Sequence, residues 1–338
     1  MNARHMTLQR HLLEQQLKTH HVISELTILF ALVSFASKIM ALEMRRAALA
    51  GELGLVGSQN ATGDAQKKLD VYANETFIDA LSQSGLVAGI VSEESEKLNV
   101  IACGKSSRYI VCMDPFDGSS NTDVNGVAGT IIAIYRKAEG GCENLEEDLI
   151  HRHCALVASI YVMYGPSTIF VYTAGDGVDA FTLEPHIGEF LLSQSGIKCP
   201  PQGSYFSANT AHQQDWAAPI QRYVEQVTRQ ETEGHQPYSL RYAGAMAADL
   251  HRNMLEGGIY LYPADAHHPE GKLRYFYEVA PMAMIMEQAG GRAVTGVKPG
   301  ERVLEIPLHA IHQTTPLVIG SKEEVDRFEA TLAACGDR

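Results

Sequence analysis

The sequence predicts a layered α/β fold, and three observations carry that expectation. Apolar residues recur at helical spacing near the N-terminus and again after residue 203, short β-branched runs fill the middle, and helices alternate with strands throughout. From Leu12 to about Leu49 the helical period breaks near Ile23-Ser24-Glu25, where Ser followed by a carboxylate marks a new start, so two N-terminal helices are expected. Gly54, Gly57 and Gly63 leave Leu53 to Gly63 without a period, and this stretch reads as a mobile loop able to act as a lid. Lys68 to Gln83 carries Leu69, Val71, Phe77, Ile78 and Leu81 on a helix leading to the apolar strand Val87 to Val91, which Glu93 and Glu94 follow. Tyr109 to Met113, Thr130 to Tyr135, Ala155 to Tyr164 and Ser167 to Tyr172 read as further strands. Helical patterns return over Gly203 to Tyr223, Gly244 to Asn253 and Val279 to Gly290, with a strand at Gly258 to Tyr262. No repeat and no Pro- or Ser-rich linker appears, so a boundary near residue 200, giving units 1–200 and 201–338, is expected to be a packed interface.

Composition narrows the function classes. The 338 residues, 45% hydrophobic and 20% charged, are those of an ordinary globular chain with a sizeable core. Lys plus Arg number 27 against 40 Asp plus Glu, a formal net charge of −13, so the cationic footprint of nucleic-acid binding is missing and an anionic membrane is a poor partner. Such a chain binds an anionic substrate where a cation cluster or metal inverts the local field. The six cysteines contain no C-x-x-C pair, and reduced thiols in a cytoplasmic protein are expected. Leu26 to Ala36, the most apolar stretch, falls short of the ~20 residues that span a bilayer.

The chemistry is written in Met113-Asp114-Pro115-Phe116-Asp117-Gly118-Ser119-Ser120-Asn121, directly after an apolar strand. Two carboxylates three residues apart, with the Phe116 carbonyl between them, suit a hard cation such as Mg²⁺. Gly118 permits close approach of a ligand, and Ser119, Ser120 and Asn121 offer donors for phosphate. Glu93 and Glu94 also end a strand; neighbours on extended chain point apart, so one is expected on metal and the other on a proton. His151-Arg-His153-Cys154 and His267-His268 lack a second ligand pair at zinc-site spacing and read as solvated or structural. No Walker loop, G-x-G-x-x-G or G-x-S-x-G is present.

Asp114 to Asn121, with Asn60-Ala-Thr-Gly-Asp64, Lys67-Lys-Leu-Asp70, Ser92-Glu-Glu94 and Lys272-Leu-Arg-Tyr-Phe-Tyr-Glu278, closely resembles class I fructose-1,6-bisphosphatase, in family order over nearly the whole chain. The aspartate-proline motif is shared with inositol monophosphatases. Asn209, Arg241-Tyr242, Gly244, Met246, Leu261-Tyr262-Pro263-Ala264 and Lys272 resemble the narrower family's sugar pocket. The resemblance implies a sugar-phosphatase fold of stacked α-β-α-β-α layers and Mg²⁺-dependent removal of the 1-phosphate of fructose 1,6-bisphosphate in gluconeogenesis, with Mn²⁺ as an alternative ion. It implies that Glu93, Asp114, Asp117, Glu278 and the Phe116 carbonyl ligate the metal, with Asp64 joining on loop closure. Asp70 and Glu94 would activate water. Asp117, Gly118, Ser119 and Ser120 would meet the reacting phosphate, and Asn209, Tyr242, Met246, Tyr262 and Lys272 the rest of the sugar phosphate. Arg241 would arrive from a neighbouring subunit of a homotetramer. His212 stands where the family often has tyrosine, and Ala245 where serine is frequent. Glu25, Thr27, Arg108, Tyr109 and Arg136 fall where the family binds inhibitory AMP. Two alternatives remain: sedoheptulose-1,7-bisphosphatase activity, alone or in addition, and a non-catalytic phosphosugar-binding regulator.

Overall fold

The computed structural model describes residues 6–18, 24–50, 54–59, 65–104, 106–137, 144–229 and 237–336. Two N-terminal helices form, α1 over Leu8–Lys18 and α2 over Ser24–Ala50, the second starting at the expected Ser24-Glu25. Leu55–Gln59 (β1) pairs antiparallel with Ala65–Lys67 (β2), correcting the reading of this segment as a loop without elements. Such a ladder needs only backbone partners, so no side-chain period announces it. Next come α3 (Lys68–Ser82), β3 (Val87–Ser92), β4 (Asn99–Val100), β5 (Tyr109–Asp117), a 3₁₀ turn at Ser119–Val124, β6 (Ala128–Arg136) and α4 (Leu145–Ile150). Strands β7 (Ala155–Tyr164), β8 (Thr168–Thr173), β9 (Asp179–Glu184) and β10 (Glu189–Gln194) complete an eight-stranded sheet ordered β10-β9-β8-β7-β6-β5-β3-β4.

Gly203 to Tyr223 is not one helix. It holds β11 (Tyr205–Ser207), a 3₁₀ turn at Thr210–Asp215 and the start of α5 (Ala218–Thr228), where Pro219 sits in the first turn and fixes the helix entry. After β12 (Ser239–Leu240), α6 (Met246–Glu256), β13 (Ile259–Tyr262) and β14 (Leu273–Arg274), a π-turn at Tyr275–Val279 feeds α7 (Ala280–Gln288). The chain continues through β15 (Arg292–Val294), β16 (Thr314–Thr315), β17 (Leu317–Gly320) and α8 (Lys322–Gly336). A five-stranded sheet runs β12-β11-β13-β17-β15.

Strand alternation sorts the core into layers. From the large sheet, Val111, Met113, Ile132 and Ile134 meet Leu29, Phe30 and Val33 of α2 and Ala73 and Phe77 of α3. The opposite sheet face gives Ile131, Tyr161 and Val171 to Met246 and Leu250 of α6 and to Met282 and Met286 of α7, which also touch Tyr260 and Ile319 of the small sheet. The far face of that sheet, with Phe206, Ile259 and Val318, is covered by Tyr223 and Val227 of α5 and Phe328 of α8. The result is the α-β-α-β-α stack that the resemblance implied.

One helix departs from the sequence reading. Residues Ser24–Ala47 of α2 form a continuous stretch of 24 residues long and apolar enough, by length and composition, to cross a membrane. Leu26, Leu29, Phe30, Val33, Ala36 and Met40 are buried in the core, while Ile28, Phe35, Leu42 and Leu49 are exposed, spaced by seven residues along the helix.

Candidate active site

The large sheet's only parallel pairing among the described strands, β3 with β5, aligns Ser92 with Met113. Glu93 and Asp114 therefore leave the sheet side by side at the strands' C-terminal ends, and the Glu93 amide donates to the Met113 carbonyl at 3.1 Å. Open α/β sheets bind ligands at this kind of edge. Against β6, Asp114 faces Ile131 but Asp117 faces Gly129, three steps on one strand against two on the other. The extra residue is a bulge. On a regular strand residues three apart point to opposite faces; the bulge turns both aspartates to one side.

Glu278 arrives from the π-turn before α7, with Oε2 accepting the Arg274 amide at 2.5 Å. Burial pushes Asp114 well above the carboxylate range, followed by the charges of Glu93, Asp117 and Glu278. Glu278 is pushed up by burial and then by Glu93. Burial, then Glu94, raises Glu93 to about 7. Asp117 rises to about 6 through burial although the Ala247 and Met246 amides oppose it, Ala247 donating to its Oδ2 at 2.8 Å. Glu93 and Asp114 are close enough for the charge of Glu93 to add to the rise of Asp114.

Among the described residues no three His, Cys, Asp or Glu side chains are drawn together as a finished metal shell. The donor set nevertheless fits a hard divalent cation. It is all oxygen, buried and mutually repelling, and its raised pKa values mean that such an ion would compete with protons for the site. Glu93, Asp114, Asp117, Glu278 and the Phe116 carbonyl are the groups that could hold it.

Asp70 lies in the first turn of α3, 5% exposed. Its Oδ2 accepts the Lys67 amide at 2.8 Å, while its buried Oδ1 has no hydrogen-bond partner. Burial raises its pKa against the pull of the Lys67 amide. Lys67 Nζ donates to the Ser119 carbonyl at 2.9 Å and to Asp123 at 2.6 Å, tying Asp70's helix to the turn after Asp117. Asp64 and Asn60-Ala-Thr-Gly lie outside the described residues.

Gly118 has φ +76°, and a Cβ there would lie 2.6 Å from Ala245 Cβ. Asn121 is a correction: its amide nitrogen donates to the carbonyls of Val127 at 2.9 Å and Ala243 at 3.0 Å, so it locks the fold rather than facing phosphate. Met246 turns its side chain into the core, 3% exposed, leaving its backbone amide towards Asp117.

A second cavity of about 200 Å³ is lined by Asn209, Tyr262 and Lys272 together with His212, Asp265, His267 and His268, among others. Tyr242 lies between the two regions' fields: burial raises the pKa of its hydroxyl, and the charges of Tyr262, of Asp249 and of Asp117 add to the rise. Arg241 stays outside, exposed, with its guanidinium 5.8 Å from the Tyr205 ring centre. A larger cavity of about 440 Å³ lies between α2 and the β7–β8 hairpin, with Arg45 as its one charged side chain. It holds none of these acids.

Sequence reasoning missed the pair that shapes the Arg241–Gly244 turn. Asp249, fully buried, accepts the Ala243 amide at 2.9 Å and Arg252 at 2.9 Å, and Arg252 also donates to the Arg241 carbonyl at 2.9 Å. Asp and Arg three apart on one helix were the available signal. The residues expected around AMP do gather at the start of α2: the Tyr109 hydroxyl donates to Glu25 at 2.8 Å, Arg108 is 3.6 Å from Glu25, and Arg136 faces Tyr109. Thr27 lies in the first turns of the same helix.

Family models for the fructose-1-6-bisphosphatase N-terminal and C-terminal domains match residues 6–195 and 199–333. The chain is 47% identical to fructose-1,6-bisphosphatase class 1 2 of Acaryochloris marina, over 96% of this chain and 97% of that one. It is 44% identical to fructose-1,6-bisphosphatase class 1 of Chloroherpeton thalassium, over 97% and 94%. The crystal structure of the Leishmania major fructose-1,6-bisphosphatase holo form superposes with a TM-score of 0.88 at 37% identity, covering 99% of each chain. Bulged aspartates, parallel strand ends and two-sheet layering thus occur in a sequence matched end to end: the chain belongs to the class I fructose-1,6-bisphosphatase family.

Proposed function

We propose that the chain hydrolyses the 1-phosphate of D-fructose 1,6-bisphosphate, giving fructose 6-phosphate and inorganic phosphate in gluconeogenesis. The observation that carries this reading is the cluster of Glu93, Asp114, Asp117 and Glu278 at the ends of β3 and β5, joined through Tyr242 to a cavity holding Lys272. Mg²⁺, or Mn²⁺ in its place, would be held by those four acids and the Phe116 carbonyl, supplying charge neutralisation for phosphate oxygens. Asp70 and Glu94 orient and deprotonate water, and the unpartnered Asp70 Oδ1 supports that role. The water oxygen bonds to phosphorus, the bond to the sugar O1 breaks, and O1 takes a proton. Asp64, outside the described residues, would join on loop closure.

Tyr242, Tyr262, Asn209 and Lys272 position the sugar and its far phosphate. The Gly118, Ser119 and Ser120 turn and the Met246 amide border the reacting one. The exposed seven-residue stripe of α2 and the outlying Arg241 support a homotetramer in which Arg241 serves a neighbour's pocket. The Glu25, Thr27, Arg108, Tyr109 and Arg136 cluster supports inhibition by AMP. A cytoplasmic location accords with this chemistry. Phosphate release measured over a panel of sugar bisphosphates, including sedoheptulose 1,7-bisphosphate, with and without Mg²⁺, tests the reading. Turnover of the fructose ester only with the ion supports it, and much faster turnover of the heptose ester refutes the substrate assignment.

A further inference from the structure

His312 ties together two loops that carry acids of the cluster. Glu93 and Glu94 lie on the turn that leaves β3 and runs through Glu96, and Glu278 lies on the π-turn ahead of α7. His312 belongs to neither. It sits just before β16, where Thr314 pairs with Arg274 and the Tyr275 amide donates to the Gln313 carbonyl at 2.8 Å, so this segment is held in register with the start of the π-turn. From there its ring reaches both loops. Nε2 lies 3.2 Å from the Glu96 carbonyl oxygen, and Nδ1 lies 2.9 Å from the Tyr277 hydroxyl.

A carbonyl only accepts, so Nε2 carries the ring's proton and donates it to Glu96. Partial burial favours the neutral imidazole, whose Nδ1 then accepts from the Tyr277 hydroxyl. Both polar atoms of the ring are thereby used, one on each loop. Tyr277 is fully buried, packs edge-on to the imidazole with 5.8 Å between ring centres, and has its hydroxyl in the field of Glu93, Glu278 and Asp114. Those acids repel one another once ionised. Strand register fixes Glu93 against Asp114, but Glu278 sits on a turn outside the ladders, so its spacing from Glu93 is set by loop packing and by ties of this kind.

We propose that His312 is a positioning residue of the cation site: through Tyr277 and the Glu96 carbonyl it fixes the Glu93 loop against the Glu278 loop, and it thereby strengthens binding of the divalent ion without touching it. The inference rests on the metal reading above and names what sets the spacing of its ligands. Mn²⁺ titration of the full chain, followed by the electron paramagnetic resonance of the free ion, reads the site without turnover. His312→Phe keeps a ring and loses both hydrogen bonds. Mn²⁺ should then bind about tenfold more weakly, and the Mg²⁺ concentration for half-maximal turnover should rise by a similar factor, while KM for fructose 1,6-bisphosphate at saturating Mg²⁺ stays within about twofold. His312→Gln, whose amide can donate to the Glu96 carbonyl and accept from Tyr277, should restore Mn²⁺ binding to within about threefold of the wild type. Tyr277→Phe should weaken Mn²⁺ binding as His312→Phe does, and the double variant no further, since both break one tie. A merely structural role would lower the melting temperature and leave Mn²⁺ affinity unchanged, and that result overturns the inference, as does a loss that His312→Gln does not rescue. If His312→Phe does not fold, Tyr277→Phe carries the same test from the other end of the bond. A wild type that binds no Mn²⁺ removes the metal reading and this inference with it; equal binding by the wild type and the variants removes this inference alone.

Discussion

The acid cluster and the histidine-lined cavity handle charge in opposite ways. At the ends of β3 and β5 the acids are placed by strand register and a bulge, are largely enclosed, and all rise chiefly through burial, to which the charges of neighbouring acids add at Glu93, Asp114 and Glu278. The cavity around Lys272 is built from turns on two loops, Lys272 and its three histidines are exposed while Asp265 is half-buried, and two of those histidines, His212 and His268, are paired locally with an acid. A rigid sheet edge suits a cation whose oxygen ligands must converge within tenths of an ångström. A loop-built pocket suits a diffuse anion that tolerates adjustment.

Breaking the first region should cost the most. Asp117→Asn keeps an oxygen able to accept the Ala247 amide but removes the negative charge, and kcat is expected to fall by about 10³-fold with the melting temperature nearly unchanged. Turnover near that of the wild type would remove Asp117 from the mechanism. Next in size is the pH dependence of the metal-free chain. Glu93 near 7 and Asp117 near 6 bind protons in the folded state that the unfolded chain has already released, so folding stability should decline as pH rises from about 4.5 to about 7. The fall is on the order of 3 kcal/mol, and saturating Mg²⁺ should flatten it, because the ion takes the place of the protons. Chemical denaturation at several pH values, with and without Mg²⁺, measures this; a metal-free chain that gains stability over that range would show the acids to be uncoupled.

Gly118→Ala tests the link between the two regions. A left-handed φ and a Cβ 2.6 Å from Ala245 predict a loss of about 2 kcal/mol and a lowered kcat, read by thermal melting and initial rates. The smallest effect belongs to the cavity. Lys272→Ala should raise KM for the bisphosphate about tenfold while leaving kcat within about twofold, since it acts on a phosphate that does not react. An equal drop in kcat would place Lys272 in the chemistry and dissolve the contrast.

Much of the acid site was legible because its residues are close in sequence and their types are chemically constrained: Asp114, Pro115, Phe116 and Asp117 follow an apolar run that could only be a strand. Glu93 and Glu94 were legible for the same reason. The functional meaning of Asn121 was misread because its amide is engaged by Ala243, 122 positions away, and no local pattern shows such a partner. Asp249 was overlooked for a related cause: as a helix residue it looks like a surface acid, and only the folded turn at Ala243 and Gly244 makes it a buried acceptor. That His267 and His268 line the same cavity as Lys272 was not legible, because a bridge between Trp216 and Asp265, 49 positions apart, brings the two segments together.

What the sequence determined unaided was the alternation of helix and strand and the chemical kind of the acid-rich motif, since both depend on side-chain period and on neighbours within a few residues. Tertiary structure alone decided that β3 and β5 run parallel, that a bulge turns Asp114 and Asp117 to one side, and that Glu278 arrives beside them from far along the chain. The physical reason is that register, burial and the mutual field of charges are properties of groups brought together in space, and a linear pattern encodes them only through the fold that it produces.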